Sequence, residues 1–247
     1  MNSQHALAIV IPALDEEGII GRVVAEMAAA VPATFAARVI VVDNGSTDRT
    51  AAEAGAAGAT VVTEPNRGYG RACLAGLVAA AGAELIVFAD GDGSDDPVGL
   101  SSLLAPLLAG TADLVVGVRV AERRERGAMT IQQRAGNVVA SQLIGRLYGT
   151  PVSDLGPFRA IRRDHLLALG MTDMTYGWST EMLVKSLRFG YRYREVPVGY
   201  RRRGAGYSKV GGNLGAGLKA GGAIFATALR HAAWPVPSTT QRLEDGG

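Results

Sequence analysis

The chain has 247 residues, of which 48% are apolar and 19% charged, with a net charge of +2 and one cysteine, Cys73. This length predicts one large domain, or one domain with an appendage, and the single cysteine excludes an internal disulfide framework and a thiolate metal cluster. The sequence has neither the run of about 18 apolar residues typical of a transmembrane helix nor a signal peptide pattern, so we expect a soluble, cytoplasmic protein.

The first 120 residues alternate between short β-branched runs and alanine-rich stretches with helical spacing. Strands are predicted at Leu7–Ile11, Arg38–Val42, Ala59–Val62, Glu84–Phe88 and Ala112–Val118, and helices at about 17–30, 48–57, 70–81 and 97–108. Continuous apolar strands separated by helices indicate a mostly parallel sheet buried on both faces. The sequence therefore predicts an α/β protein with a doubly wound sheet flanked by helices.

Polar residues follow each of the five predicted strands. These segments are Pro12–Glu17, Asp43–Asp48, Asn66–Arg71, Asp90–Pro97 and Gly117–Arg119. In doubly wound sheets, ligands bind at the carboxyl ends of the strands. One such segment is ordinary turn chemistry, but five together predict a functional site at this edge.

The pattern changes beyond residue 125. We predict helices at Met129–Tyr148 and Ser179–Phe189, a strand at Tyr191–Tyr200, a basic loop at Arg201–Lys209 and a weak helix at Gly211–Arg230. The polar tail from Pro235 is predicted to be disordered.

The two halves of the chain carry opposite charges. Residues 1–124 contain 8 Lys/Arg and 15 Asp/Glu, and residues 125–247 contain 17 and 8. Chance surface composition is one explanation. The other is that the acidic half handles a cation while the basic half meets anionic groups such as phosphates.

Asp90-Gly91-Asp92 carries the strongest chemical signal. Two carboxylates after a buried strand suit Mg²⁺ or Mn²⁺ bridged to a diphosphate, because Mg²⁺ keeps waters and takes few protein ligands. For Asp95 and Asp96 we favour a solvated turn that caps the next helix. Gly68-Tyr69-Gly70 opens a helix, but Cys73 stands where a Rossmann fingerprint needs its third glycine. The sequence also has no P-loop motif, so neither nucleotide-binding class is expected.

In their order and spacing, these segments resemble the family 2 inverting glycosyltransferases with the GT-A fold, and within them the dolichyl/polyprenyl-phosphate sugar synthase branch. The resemblance covers about residues 7–210. The matching pieces are Ile11–Glu17, Val42–Asp48, Asn66–Gly70, Asp90–Asp92, Gly117–Arg119, Gly156–Arg159 and Arg203–Lys209. The family often has a second Asp where this chain has Asn44, and the phosphomannose branch commonly has Gln where Ser94 stands.

The resemblance implies roles for particular residues. Those that would hold the nucleotide base and ribose, or lie beside them, are Pro12, Leu14, Glu16, Asp43, Gly70 and Arg71. Asp90 and Asp92 would carry the metal and the donor diphosphate. The residues that would clamp donor and acceptor phosphates are Arg119, Arg134, Arg203 and Lys209, with Ser208 beside them on the donor side. Of these, Asp92, Arg119, Arg203 and Lys209 are the predicted catalytic residues.

The chemistry of sugar transfer agrees with this interpretation. Charge builds on the departing diphosphate, and a metal with Arg and Lys side chains would stabilise it. An acceptor phosphate is already anionic and needs no general base. A hydroxyl acceptor would need a carboxylate base, for which Glu181 and Asp154 are candidates. The basic loop, together with Arg159, favours phosphate.

We therefore expect transfer of a sugar from a UDP- or GDP-linked donor to a polyprenyl phosphate. The alternatives are transfer to a soluble or peptide-borne hydroxyl, and a non-catalytic nucleotide-sugar-binding subunit. The expected division is a catalytic domain at 1–210, with a nucleotide half at about 1–120 and an acceptor half at about 121–210. A helical segment at 211–234 and a tail at 235–247 follow. We expect no nucleic acid partner, and a homo-oligomer is compatible with the sequence.

Residues 211–234 have two interpretations. Leu214, Leu218, Phe225 and Leu229 fall near one face of a helix, which could dock on the inner face of a membrane. The glycines in its first half weaken that helix and favour packing against the catalytic domain or a partner chain.

Overall fold

A computed structural model describes residues 4–204, 222 and 224–233 of the chain. Its centre is one sheet of seven strands in the order β3-β2-β1-β4-β6-β5-β7. The strands are β1 His5–Ala13, β2 Phe35–Asp43, β3 Thr60–Thr63, β4 Leu85–Phe88, β5 Leu114–Val118, β6 Arg159–Arg162 and β7 Tyr193–Pro197. All neighbours pair in parallel except β6, which runs antiparallel to both β4 and β5. The predicted mostly parallel sheet flanked by helices is confirmed.

Seven α-helices surround the sheet in the part of the chain up to residue 204. They are α1 Ile20–Ala29, α2 Thr50–Ala56, α3 Tyr69–Ala79, α4 Leu100–Leu108, α5 Ile131–Tyr148, α6 Arg163–Ala168 and α7 Trp178–Phe189. Residues 224–230 are also helical and continue into a short 3₁₀ turn at His231–Ala233. None of the helices in the described residues is long and apolar enough to cross a membrane.

The sheet is buried on both faces, which explains why its central strands are continuous apolar runs. Alternate residues of β1 point to opposite faces. Leu7 and Ile9 pack with α1 and α4 in one apolar core, while Ala8 and Val10 pack with α3 and α7 in the other. This two-sided core holds the carboxyl ends of the strands rigidly at one edge.

The antiparallel strand β6 brings a further segment to that same edge. Arg159 pairs with Phe88 at the end of β4, and Arg162 pairs with Leu85 at its start. The residues just before β6 therefore lie beside the carboxyl ends of β4 and β5. The sequence does not predict this strand, because four residues with an arginine at each end show no apolar run.

Helix α5 packs on the rest of the protein along a narrow face. Thr130 and Gln133 form a capping box at its start, and Gly149 ends it in the left-handed conformation with φ 64°. Of its 18 residues only Ala140, Ser141 and Ile144 are buried.

The helical segment at 224–233 contacts α5 and the loop that precedes α7. The hydroxyl of Tyr148 donates to the carbonyl of Ala228 at 2.7 Å, and the hydroxyl of Thr227 donates to Asp173 at 2.9 Å. Phe225 is half-buried and Leu229 is 58% exposed. Leu214 and Leu218 lie outside the described residues.

Candidate active site

The two aspartates that follow β4 lie at the centre of the strand-end edge. The Asp92 side chain is 3% exposed and its Oδ1 accepts a hydrogen bond from the amide of Ser94 at 2.9 Å. Asp90 is half-buried and accepts from the hydroxyl of Tyr69 at 3.3 Å. Burial and the charge of Asp92 raise the pKa of Asp90 to about 7, although Arg203 and Arg119 oppose the shift.

A third carboxylate stands behind this pair. Asp95 is 3% exposed, and its Oδ2 accepts from the amide of Asp90 at 2.9 Å while its Oδ1 is buried with no hydrogen-bond partner. Burial and the charge of Asp90 raise the pKa of Asp95 well above its usual value. The expectation of a solvated turn is thus wrong for Asp95, whereas Asp96 does cap the 3₁₀ turn that leads into α4.

This crowding of carboxylates fits a divalent cation. Three acidic side chains lie close together, the pKa values of Asp90 and Asp95 are raised by burial and by neighbouring carboxylates, and a bound metal would supply the missing positive charge. Within residues 4–204 and 224–233, no three His, Cys, Asp or Glu side chains are arranged to hold a metal by themselves. An ion here would rest on Asp90 and Asp92 and take its other ligands from a diphosphate and water, as Mg²⁺ commonly does.

The start of the basic loop lies directly on this cluster. Arg203 forms an ion pair with Asp92, with 2.8 Å between Nη2 and Oδ2. Arg201, in contrast, bridges Glu26 and Asp96. The backbone amide of Arg202 donates to Glu125, and its Nε donates to the Arg126 carbonyl. Ser208 and Lys209 lie outside the described residues, so of the loop residues predicted for the site only Arg203 can be placed.

Arg119 lies at the same edge but is tied to Asp154. Its Nε and Nη2 donate to the two carboxylate oxygens of Asp154 at 2.9 and 2.5 Å, and its backbone amide donates at 2.8 Å. The guanidinium also lies over the ring of Tyr200, 5.1 Å from the centroid. Arg134, by comparison, lies on the exposed side of α5.

The residues expected around the nucleotide base form two loops that are fastened to each other. Oδ1 of Asp15, which has a φ of 47°, accepts from the amide of Thr47 at 2.7 Å, and the amide of Glu16 donates to Thr50 Oγ1 at 2.8 Å. Asp43 is 9% exposed and accepts from the amide of Ser46 at 3.1 Å. Pro12 lies near the end of β1, and Leu14 and Glu16 follow in the first of these loops; Pro12 and Leu14 are half-buried.

Asn44 organises the neighbouring loop. Its amide nitrogen donates to the carbonyls of Glu64 and Asn66 at 3.0 and 2.8 Å, and its oxygen accepts from the amide of Gly68 at 2.7 Å. A carboxylate could not donate these two bonds. Asn44, which stands where the family often has a second Asp, therefore has a structural role in this chain.

Gly70 and Arg71 contact the segment that precedes α7. The amide of Gly70 donates to the Thr175 carbonyl at 3.1 Å, and the amide of Arg71 donates to the Met174 carbonyl at 3.2 Å. A Cβ at Gly70 would lie 2.0 Å from the carbonyl oxygen of Asp173, so glycine is what allows this approach. These two amides are thus occupied by the protein, and the Arg71 side chain is exposed.

Comparison with known proteins identifies the chain. Its sequence matches the Glycosyl transferase family 2 profile over residues 8–170. The chain belongs to this family. The match agrees with the predicted GT-A fold and with the assignment of a transferase enzyme.

Three relatives illustrate the range of the family. An uncharacterised glycosyltransferase of Mycobacterium tuberculosis is 40% identical over 213 residues, covering 85% of this chain and 91% of that protein. A dolichyl-phosphate hexose transferase of Haloferax volcanii is 35% identical over 205 residues, covering 83% and 86%. The crystal structure of glucosyl-3-phosphoglycerate synthase from M. tuberculosis with Mn²⁺, uridine diphosphate and phosphoglyceric acid has a TM-score of 0.73 and 25% identity, covering 95% and 80%.

The two carboxylates considered as general bases in this family 2 chain are both engaged. Glu181 is fully buried and accepts from the Thr172 amide and hydroxyl, the Asp173 amide and Lys185. Burial acts to raise the pKa of Glu181, but these hydrogen bonds, first that from Lys185, lower it overall. The other carboxylate, Asp154, is 4% exposed and is held by Arg119.

In the sequence, Arg159 together with the basic loop favoured a phosphate acceptor. In the structure, Arg159 is only 1% exposed. It donates to the carbonyls of Ser179 and Leu155, so it holds the loop before β6 in place. Its burial could not be read from the sequence, because nothing in a short polar segment indicates which arginines find backbone carbonyls inside the protein.

Proposed function

We propose that this glycosyltransferase moves a sugar from a UDP- or GDP-linked donor to the phosphate of a polyprenyl lipid, with inversion at the anomeric carbon. Asp90 and Asp92 hold Mg²⁺ or Mn²⁺, and Arg119, Arg134, Arg203 and Lys209 serve the phosphates. Pro12, Leu14, Glu16 and Asp43 hold the base and ribose, with Gly70, Arg71 and Ser208 nearby. Because a polyprenyl chain stays in a bilayer, this acceptor implies peripheral contact with the cytoplasmic face of a membrane.

The donor side is supported by the crowded carboxylates at Asp90 and Asp92. A nucleotide diphosphate brings negative charge to a site that already has an excess of it, so a divalent cation is needed between the two. When bound, this metal supplies Lewis-acid stabilisation of the departing diphosphate. The relative solved with Mn²⁺ and uridine diphosphate supports the same assignment.

The observation that carries the acceptor assignment is the engagement of Glu181 and Asp154. In the proposed reaction, an acceptor phosphate oxygen attacks the anomeric carbon with its lone pair. The bond from that carbon to the donor phosphate oxygen breaks, and the diphosphate leaves with the electron pair. No proton has to be removed from an ionised phosphate, whereas a hydroxyl acceptor needs a base. Neither candidate base has a free carboxylate oxygen to offer.

A hydroxyl acceptor is the competing proposal, because the solved relative is crystallised with phosphoglyceric acid. The name of the Haloferax relative favours the lipid phosphate. A non-catalytic nucleotide-sugar-binding subunit is the third alternative.

The test has two stages. UDP- and GDP-sugars are first screened with Mn²⁺ by thermal shift. The binding donor is then incubated with a short polyprenyl phosphate, with the matching polyprenol that lacks the phosphate, and with 3-phosphoglycerate, and release of nucleoside diphosphate is measured. We expect turnover with polyprenyl phosphate and none with polyprenol. Turnover only with 3-phosphoglycerate or polyprenol would overturn the acceptor assignment, and binding without turnover would indicate a sensor.

A further inference from the structure

Asp92 has two possible positively charged partners, the Arg203 guanidinium and the proposed metal ion. Asp92 Oδ2 lies 2.8 Å from the guanidinium, yet Asp92 is also one of the two proposed metal ligands. Asp92 is buried, so its charge must be neutralised by one partner or the other. Arg203 and a divalent cation would therefore compete for the same oxygen.

The backbone around Arg203 fastens this arrangement. The segment 199–204 lies antiparallel to 92–96: the Asp96 amide donates to the Gly199 carbonyl at 3.4 Å, and the Arg201 amide donates to the Ser94 carbonyl at 2.8 Å. The next bond runs from the Gly204 amide to the Asp92 carbonyl at 3.1 Å, one residue out of register. Asp92 thus holds the end of this segment through both its side chain and its backbone.

We propose that Arg203 is a tethered cation that occupies Asp92 until the metal arrives, and that metal binding releases Arg203 to the phosphates. This inference rests on the proposed function. Arg203 would then have two partners, used in turn: the Asp92 carboxylate without the metal, and an anionic substrate with it.

Linkage gives this arrangement a measurable consequence. If Arg203 and the metal compete, removal of the Arg203 charge must tighten metal binding, while the same variant loses a phosphate contact and turns over more slowly. A residue that only binds phosphate predicts no change in the affinity for metal alone.

The test measures Mn²⁺ binding by calorimetry and by the electron paramagnetic resonance of free Mn²⁺, with and without UDP or GDP. Arg203→Gln is compared with the wild type and with Arg202→Gln. The control removes the same charge from the adjacent residue, whose Nε donates to the Arg126 carbonyl. We expect about tenfold tighter Mn²⁺ binding by Arg203→Gln, within the range of couplings seen between sites. Arg202→Gln should bind Mn²⁺ as the wild type does.

Hydrogen exchange of the wild type provides a second readout that needs no variant. We expect exchange of the Arg201 and Gly204 amides to accelerate when Mn²⁺ and nucleoside diphosphate are added, since their bonds to Ser94 and Asp92 open. Unchanged protection, or equal Mn²⁺ affinity in Arg203→Gln and wild type, would overturn the competition and leave the proposed function intact. Failure of the wild type to bind Mn²⁺ with either nucleotide would instead overturn the proposed function.

Discussion

Asp154 holds Arg119 through both carboxylate oxygens and through the arginine's backbone amide. The side chains are 5% and 13% exposed, so this ion pair is nearly out of reach of water. It fixes the end of β5 to the loop that precedes β6. Asp154 is thereby tied to the predicted phosphate ligand Arg119.

We expect Asp154→Ala to lower the free energy of unfolding by about 3–5 kcal/mol, because a buried guanidinium loses its partner. Arg119→Met should also destabilise the protein. The double variant Asp154→Leu/Arg119→Met should lose less than the sum of Asp154→Leu and Arg119→Met, since neither charge is left unpaired. Urea unfolding of the variants gives the cycle, and strictly additive losses would contradict this account.

Asp92→Asn should abolish sugar transfer and weaken Mn²⁺-dependent donor binding, because an amide is a neutral and poorer ligand for Mg²⁺ or Mn²⁺. Isothermal titration with the donor and a nucleoside diphosphate release assay measure the two effects. Asp164→Asn makes the same chemical change at an exposed position on α6 and should leave both measurements unchanged. Normal turnover by Asp92→Asn would refute the metal assignment.

Gly70→Ala should destabilise the protein by about 1–3 kcal/mol or more, because the added methyl group would meet a backbone carbonyl oxygen and not the end of a flexible side chain. Gly136→Ala is the matched control. A Cβ at Gly136 has no neighbour within 4 Å, and in the interior of α5 it should stabilise the helix by about 0.5–1 kcal/mol. Chemical denaturation of both variants checks the contrast, and equal effects would show that the approach to Asp173 is not tight.

His231 should make stability depend on pH. Burial lowers the pKa of this imidazole, and Glu181, 3.5 Å from its Nε2, only partly opposes the shift. Lys185 and Arg230 also lower it, and Asp173 raises it. The unfolded chain therefore takes up the proton at about pH 6.5, before the folded protein does. This contribution to stability is complete above that pH and is lost as the pH falls below it.

Melting temperatures at pH 7.5 and 5.5 test this prediction. The decrease between the two pH values should be smaller in His231→Gln than in the wild type, because glutamine does not titrate. Equal decreases would show that His231 does not contribute.

The sequence predicted the first five strands and the edge at which they end, because each is an apolar run followed by polar residues. Asp90, Asp92 and Asp43 indeed lie at that edge, and Arg203 joins them through its ion pair. Their roles in binding and catalysis stay predictions. The destinations of buried polar side chains could not be predicted. The sequence suggests Glu181 as a candidate base and Arg159 as part of a phosphate site. In the fold, Glu181 is bound by Thr172 and Arg159 by the Ser179 carbonyl, and these contacts give both side chains structural roles.

Strand β6 runs antiparallel to its neighbours in the described sheet, so it begins at the edge that carries the candidate site and ends at the opposite edge. Extra residues inserted before Arg159 would enlarge the wall beside Asp90 and Arg119, whereas extra residues after Arg162 would emerge at the far edge of the sheet. Insertions on the two sides of this strand would therefore have different consequences: the first would remodel what the enzyme can accommodate, and the second would alter only its opposite surface.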